Sequence, residues 1–325
     1  MKLQGIEFGS AFCSSGTRNF DGSGWPYHRY LPWRSVDWSG STLVTKTTTV
    51  DARTGHMILK DDGLTPIVFK PDCINVSPLS GITLNSVALS GPGAAAVLQM
   101  SALRAHNRPF LFSFMSAEHN AEDRLRDAYK FVHIMRSNWP IAHRPIGIEI
   151  NFSCPNVAHG GKDRHWHDWC EEIRYTLVAL SVLGVPLVPN FSVETPPELI
   201  KWVMLLPECD AVSVANTLHF SSALLDRQKL FGTEISPLAR FGGGGLSGPP
   251  LFPLLIDWLG LMMREQPTKP LIVGGGVFSK EDVRTIYRLA RSIVRGVKLG
   301  TVGLYRPWRV QGMIREINRL FGGVK

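Results

Sequence analysis

The segment Asn151-Phe152-Ser153-Cys154-Pro155-Asn156 sets a thiol between two amides and pins it with a proline. A cysteine thiol titrates from about 8.5, close enough to neutrality to be tuned into a base or a nucleophile. Asparagine carries both donors and an acceptor, so Asn151 and Asn156 suit a flat ligand with amide edges. The apolar run before them, Ile146-Gly147-Ile148-Glu149-Ile150, reads as a buried strand, which puts Cys154 just beyond a strand end.

Other residues could share in such chemistry. Gly274-Gly275-Gly276 and Gly300-Thr301 offer bare backbone N–H groups to an anion, and as a pair they read as a phosphate cradle. Gly242 to Gly248, with four glycines before Leu246-Ser247, reads as a flexible segment that can bring backbone near a ligand. Lys46 lies in Thr45-Lys46-Thr47-Thr48-Thr49 among strand-forming residues, so its ammonium is expected at the mouth of a site. Asn85 follows Gly81-Ile82-Thr83-Leu84 and reads equally as a turn residue or as a ligand contact. His165 and His167 are two apart, a spacing that suits neither one helical face nor a zinc site, so with His159 they are taken as a solvated loop.

Eight short apolar segments can position these groups: Glu7–Cys13, Thr42–Thr47, Phe110–Met115, Ile146–Phe152, Pro186–Phe191, Ala211–Ala215, Leu271–Val273 and Gly296–Leu299. Helical patterns fall between several of them, at Ala121–Ser137, Asp168–Val182, Pro197–Leu206 and Lys280–Arg291. Strands alternating with helices imply a parallel sheet, and eight of them in this length fit a single-domain (β/α)₈ TIM barrel over residues 1–325 with loop insertions at its C-terminal face. A barrel builds its site from the loops after its strands. Ser14-Ser15-Gly16, Lys46-Thr47, Cys154, Asn190, Asn216-Thr217, Gly274–Gly276 and Gly300-Thr301 all fall there. The Trp25–Trp38 stretch, rich in Trp, Tyr, Pro and Arg, reads as a long loop near the rim.

With 325 residues, 44% of them hydrophobic, the chain can bury a large core. Its five cysteines are scattered without a CxxC pair, which argues against a disulfide framework, a zinc site or an iron–sulfur cluster and for a reducing, cytoplasmic setting. There is no charged leader with an apolar core and no apolar run of 18 residues, so a soluble protein is expected. The formal charge of +8 suits a basic solvated surface or a field that draws in small anions. The dispersed Lys and Arg residues do not make a nucleic-acid groove.

These residues together resemble the dihydroorotate dehydrogenases, flavin enzymes of pyrimidine synthesis built on an FMN-binding barrel. The likeness runs through Ser14-Ser15-Gly16, Thr45 to Thr49, Arg53-Thr54-Gly55, Asn85, Asn151 to Asn156, Asn216-Thr217, Gly245 to Gly248, Gly274 to Gly276 and Gly300-Thr301. The resemblance implies that Cys154 removes the C5 proton of dihydroorotate while C6 delivers hydride to FMN, and cysteine at this position is similar to the soluble class. It implies that Asn85, Asn151, Asn156, Asn216 and Thr217 grip the pyrimidine and that Lys46 contacts both flavin and substrate. Ser15, Gly16, Thr47, Asn151, Asn190 and Gly248 would line the flavin, with Gly275, Gly276, Gly300 and Thr301 at its phosphate. A homodimer is expected, and an electron-transfer partner subunit is one outlet for the electrons beside fumarate or a quinone.

Three positions depart from the family pattern. A lysine usual after the fifth strand, against the N1/O2 edge of the flavin, is Asn190; the glycine usual before Leu89 is Ala88; the asparagine usual after Arg-x-Gly is His56. An amide donates a hydrogen bond but does not neutralise an anion, so a lower flavin potential, slower reduction or weaker FMN retention is expected. The departures motivate two further readings: a related flavin barrel acting on another dihydropyrimidine or cyclic amide, and an FMN- or anion-binding protein with impaired turnover.

Overall fold

The computed structural model describes residues 1–26, 28, 36–139, 145–153 and 166–323. Eight parallel strands form the frame: β1 (Ala11–Cys13), β2 (Leu43–Val44), β3 (Phe110–Phe114), β4 (Ile146–Asn151), β5 (Leu187–Phe191), β6 (Val212–Val214), β7 (Leu271–Val273) and β8 (Val294–Leu299). They hydrogen-bond in the order β1-β8-β7-β6-β5-β4-β3-β2. A parallel bridge between Phe12 and Thr42, with Cys13 N–H on the Thr42 carbonyl at 3.0 Å, joins the last strand to the first and closes the ring. The chain is a (β/α)₈ TIM barrel, as its alternating pattern predicts.

The outer helices bury the stripe that their sequence presents. In Lys280–Ala290 the side chains of Val283, Ile286 and Ala290 are buried, and Ser279 and Asp282 form a capping box. In Ala121–Asn138 the cap is Asn120, whose side chain accepts from Asp123 N–H at 2.8 Å. Two long helices escaped the sequence reading, Leu251–Glu265 and Pro307–Phe321. The first carries Pro253 in its opening turn and Gly260 inside it, yet Leu251, Leu255, Trp258, Leu259 and Met262 keep helical spacing and are all buried.

Three segments differ from expectation near the ends of the strands. The first predicted strand is split: Ile6–Glu7 pairs with Lys2–Leu3 as an antiparallel hairpin, and β1 starts only at Ala11, after Gly9 at φ +75°. The second is shorter, because Lys46 N–H leaves the ladder for the Asn19 carbonyl while Thr45 and Thr48 N–H remain on β3. The glycine run after Phe241 is ordered. Gly242, Gly243 and Gly244 all have φ above +80°, a path open only to glycine, and deliver Gly245–Ser247 into an antiparallel sheet with Leu218–His219, Ile82–Asn85 and Ile74–Ser77. That small sheet stands on its own apolar cluster of Ile82, Leu84, Leu218, Phe220, Leu238 and Leu246.

The barrel interior changes character with height. At the bottom, Leu3 and Phe8 from the hairpin segment seal a cluster of Phe12, Val44, Leu111, Val188, Ala211 and Ile272. Side chains two residues further along a strand face the same way. By that parity the next inward layer is Ser14, Lys46, Ser113, Glu149, Asn190, Ser213, Gly274 and Lys298, which is polar where barrel interiors favour branched apolar residues.

Candidate active site

Three amides meet at the ends of β4, β5 and β6. Asn190 Nδ2 donates to Asn216 Oδ1 at 2.9 Å, and Asn216 Nδ2 donates to Asn151 Oδ1 and, at 2.8 Å, to Ser153 Oγ. The backbone sets this up: Asn151 and Asn190 are register partners, and the Ala215 and Asn216 N–H groups both bond the Phe191 carbonyl at 3.0 Å. Asn190 Oδ1 and the neighbouring Ser213 Oγ are buried with no hydrogen-bond partner among the described residues. Unsatisfied buried polar atoms are rare and mark places where a ligand group or ordered water belongs.

On the opposite side, Ser15 Oγ lies 2.8 Å from Thr47 Oγ1, which lies 2.9 Å from Ser113 Oγ. Lys46 is buried, with Nζ donating to the Ser90 carbonyl and set 4.5 Å from the centroid of the Phe20 ring. Lys46 thus follows β2 at the C-terminal end of the barrel, with its ammonium turned onto the Ser90 carbonyl and the Phe20 ring. Gly16, at φ +80°, packs beside the Lys46 stem. The Ser90 carbonyl is presented by a turn in which Ala88 and Leu89 have φ of +55° and +59°, a strained path for residues with a Cβ. His56 braces that turn, with its N–H on the Val87 carbonyl at 3.0 Å and Nδ1 2.7 Å from the Ser86 carbonyl.

The glycines at the ends of β7 and β8 form the third wall. Gly275 and Gly276 have φ of +121° and +70°, and a Cβ on Gly276 would fall 2.5 Å from Phe252 N. A Cβ on Gly300 would fall 3.1 Å from Ser14 Oγ, and one on Gly248 would run into the Gly81 carbonyl. Thr301 opens the short helix Val302–Tyr305. Bare backbone is held against bare backbone here, which suits close approach by an anion. Asn85 ends its strand with Nδ2 3.4 Å from the Gly245 carbonyl, and Thr217 is half-buried beside Asn216.

Cys154 and Asn156 lie outside the described residues, as do His159 and His165. His167 is exposed, with Nε2 3.9 Å from Glu171. Burial raises the thiols of Cys13, Cys73 and Cys170 above their ordinary range and pushes Cys209 up to about 12, so none of these four offers a thiolate near neutrality. No group of three or more His, Cys, Asp or Glu side chains among the described residues could hold a metal ion.

The sequence reading missed an ion pair in the polar layer, Lys298 Nζ donating to Glu149 Oε2. Glu149 Oε1 also receives Ser113 Oγ at 3.5 Å. The signal was present in the strand pattern, since both charges interrupt apolar runs at positions whose parity faces inward.

The dihydroorotate dehydrogenase family model matches residues 31–321. Among curated proteins, the chain is 30% identical over 243 residues to dihydroorotate dehydrogenase B (NAD(+)), catalytic subunit, of Listeria welshimeri, covering 72% of this chain and 71% of that protein. It is 29% identical over 252 residues to dihydroorotate dehydrogenase A (fumarate) of Lactobacillus helveticus, covering 74% and 69%. With the barrel and the strand-end residues already in place, these matches make the chain a member of the dihydroorotate dehydrogenase family.

Proposed function

We infer that the protein is an FMN-dependent oxidoreductase that converts dihydroorotate to orotate. The observation that carries this reading is the meeting of Asn151, Asn190 and Asn216 in one hydrogen-bonded relay, between a glycine cradle on β7 and β8 and the lysine of β2. Those residues fit the cofactor. Gly275, Gly276, Gly300 and Thr301 would hold its phosphate, and Ser15, Gly16, Thr47, Asn190 and Gly248 would line its ring. When bound, the flavin supplies the two-electron acceptor that no side chain can replace.

The chain's own residues do the rest. Orotate is a planar carboxylate with amide edges, so Asn85, Asn151, Asn156, Asn216 and Thr217 orient it while Lys46 balances its charge. Cys154 takes the C5 proton as the C6 hydrogen leaves with its electron pair, so charge does not accumulate on the ring. The names of the relatives extend the reading to the electron outlet: a partner subunit using NAD(+), or fumarate taken directly. A homodimer is the proposed assembly and the cytoplasm the proposed setting; no described helix is long and apolar enough to cross a membrane.

Anaerobic mixing with dihydroorotate tests cofactor and substrate together. The purified protein is expected to be yellow and to bleach. A protein that cannot be reconstituted with FMN overturns the reading. Bleaching only with another dihydropyrimidine moves it to the second reading, which Asn190 and Ala88 favour. Cys154→Ala should keep its flavin and lose roughly 10²–10⁴-fold in reduction rate, the contribution of a general base; an unchanged rate removes Cys154 from that role.

A further inference from the structure

The Lys298–Glu149 pair has no counterpart among the roles assigned so far. Lys298 is 2% exposed and Glu149 is fully buried, and they come from β8 and β4, which stand on opposite sides of the ring. Taking two charges out of water costs about as much as their attraction returns, and apolar residues of similar size often replace such a pair without loss. Stability therefore does not account for a cation and an anion in the middle of a barrel.

Their height in the barrel points to another role. Two residues above Lys298 on its strand is Gly300, and two above Glu149 is Asn151, both assigned to the flavin. Two residues of strand rise by about 6.6 Å, so the pair lies about that far along its strands beneath Gly300 and Asn151, in the layer whose Asn190 the flavin reading places at the ring. Besides Lys46, two residues above Val44, the rest of that layer is neutral: Ser14, Ser113, Asn190, Ser213 and Gly274. The two charges are also unequally solvated. Glu149 receives both Lys298 and Ser113, the end of the Ser15–Thr47–Ser113 hydroxyl chain, while Lys298 meets a single acceptor among the described residues. The cation is the less neutralised member, and a low-dielectric interior carries its field upward.

We propose that Lys298 is a potential-setting cation beneath the flavin, supplying from β8 the positive charge that Asn190 does not supply from β5. It stabilises the electrons that arrive on the ring, and Glu149 holds its ammonium in place. This inference rests on the flavin reading above.

The test is a reduction potential measured against a reference dye on the FMN-loaded protein. Lys298→Gln, and the double variant Lys298→Met/Glu149→Leu that removes both charges without orphaning either, should fold and retain FMN. In both, the equilibrium constant for two-electron reduction should fall at least tenfold, a lowering of about 30 mV. Flavin-loaded variants whose constant stays within twofold of the parent overturn the inference and leave the enzyme assignment standing. A parent protein that takes up no FMN overturns both.

Discussion

At the scale of single residues, the clearest consequence of the site's construction is strain. Ala88 adopts a left-handed conformation at φ +55°, where a Cβ costs about 1–2 kcal/mol. Ala88→Gly removes that cost but gives the unfolded chain more freedom, worth about 0.4–1 kcal/mol. The net expectation is a gain of about 0.5–1 kcal/mol, read as a higher denaturation midpoint with an unchanged m-value. The same turn aims the Ser90 carbonyl at Lys46, so the strain lies against a residue of the proposed site. Much of this site was legible in the sequence. Lys46, Asn190, Asn216 and the paired glycines were placed at strand ends by type and spacing, because a barrel leaves its chemistry nowhere else. Ala88 was legible as a departure, but its backbone angle was not, since nothing local to Val87-Ala88-Leu89 demands a positive φ. The Asn151–Asn216–Asn190 relay was illegible for a different reason: a hydrogen bond between residues 65 positions apart is fixed by the ring, not by either neighbourhood.

Elements explain why the glycines tolerate no substitute. Gly276 closes the turn between β7 and the helix Lys280–Ala290 while touching the first turn of Leu251–Glu265. Gly276→Ala puts a methyl 2.5 Å from Phe252 N in a left-handed backbone, so two elements must separate or the turn must open. A loss of about 1–3 kcal/mol in thermal unfolding is expected, with weaker FMN retention on gel filtration. A variant as stable as the parent, with its flavin intact, would show that the cradle is looser than its geometry. The eight barrel strands were readable because each is a short apolar run bounded by polar residues. The antiparallel sheet beside the site was not, because Gly245–Ser247 is only three residues long and follows a glycine run that resembles a linker. Lys298 and Glu149 were overlooked for a subtler cause: one charge in a strand reads as an edge until the ring shows which way it faces.

For the whole molecule, the outer helices supply a pH dependence separate from the chemistry. Glu316 accepts from Arg319 Nη2 at 2.8 Å and Nε at 3.1 Å, and from Arg284 Nε at 2.8 Å. The hydrogen bonds from Arg319 first, then Arg284, hold its pKa at about 2 against an ordinary 4.5. A carboxylate whose folded pKa is depressed adds stability that is fully present above pH 4.5 and is lost as the pH falls towards 2. Glu316→Gln should therefore be less stable than the parent at neutral pH, with the difference shrinking across that acid window; a constant difference would place the effect in packing. Guanidinium groups flank this carboxylate between Lys280–Ala290 and Pro307–Phe321, the two helices that follow β7 and β8, so acid weakens the contact between these two helices.

The closure of the ring has a consequence of its own. β1 and β2 are joined by an isolated bridge at Phe12 and Thr42, whereas β3 and β4 share five register pairs, so the seam is the thinnest stretch of the barrel wall. Ser15 and Gly16 stand at the end of one lip and Lys46 and Thr47 at the end of the other. A flavin gripped by all four would act as a suture across that seam. Part of the energy of holding the cofactor would then be spent on holding the barrel shut, and emptying the site would let the wall breathe at one known line.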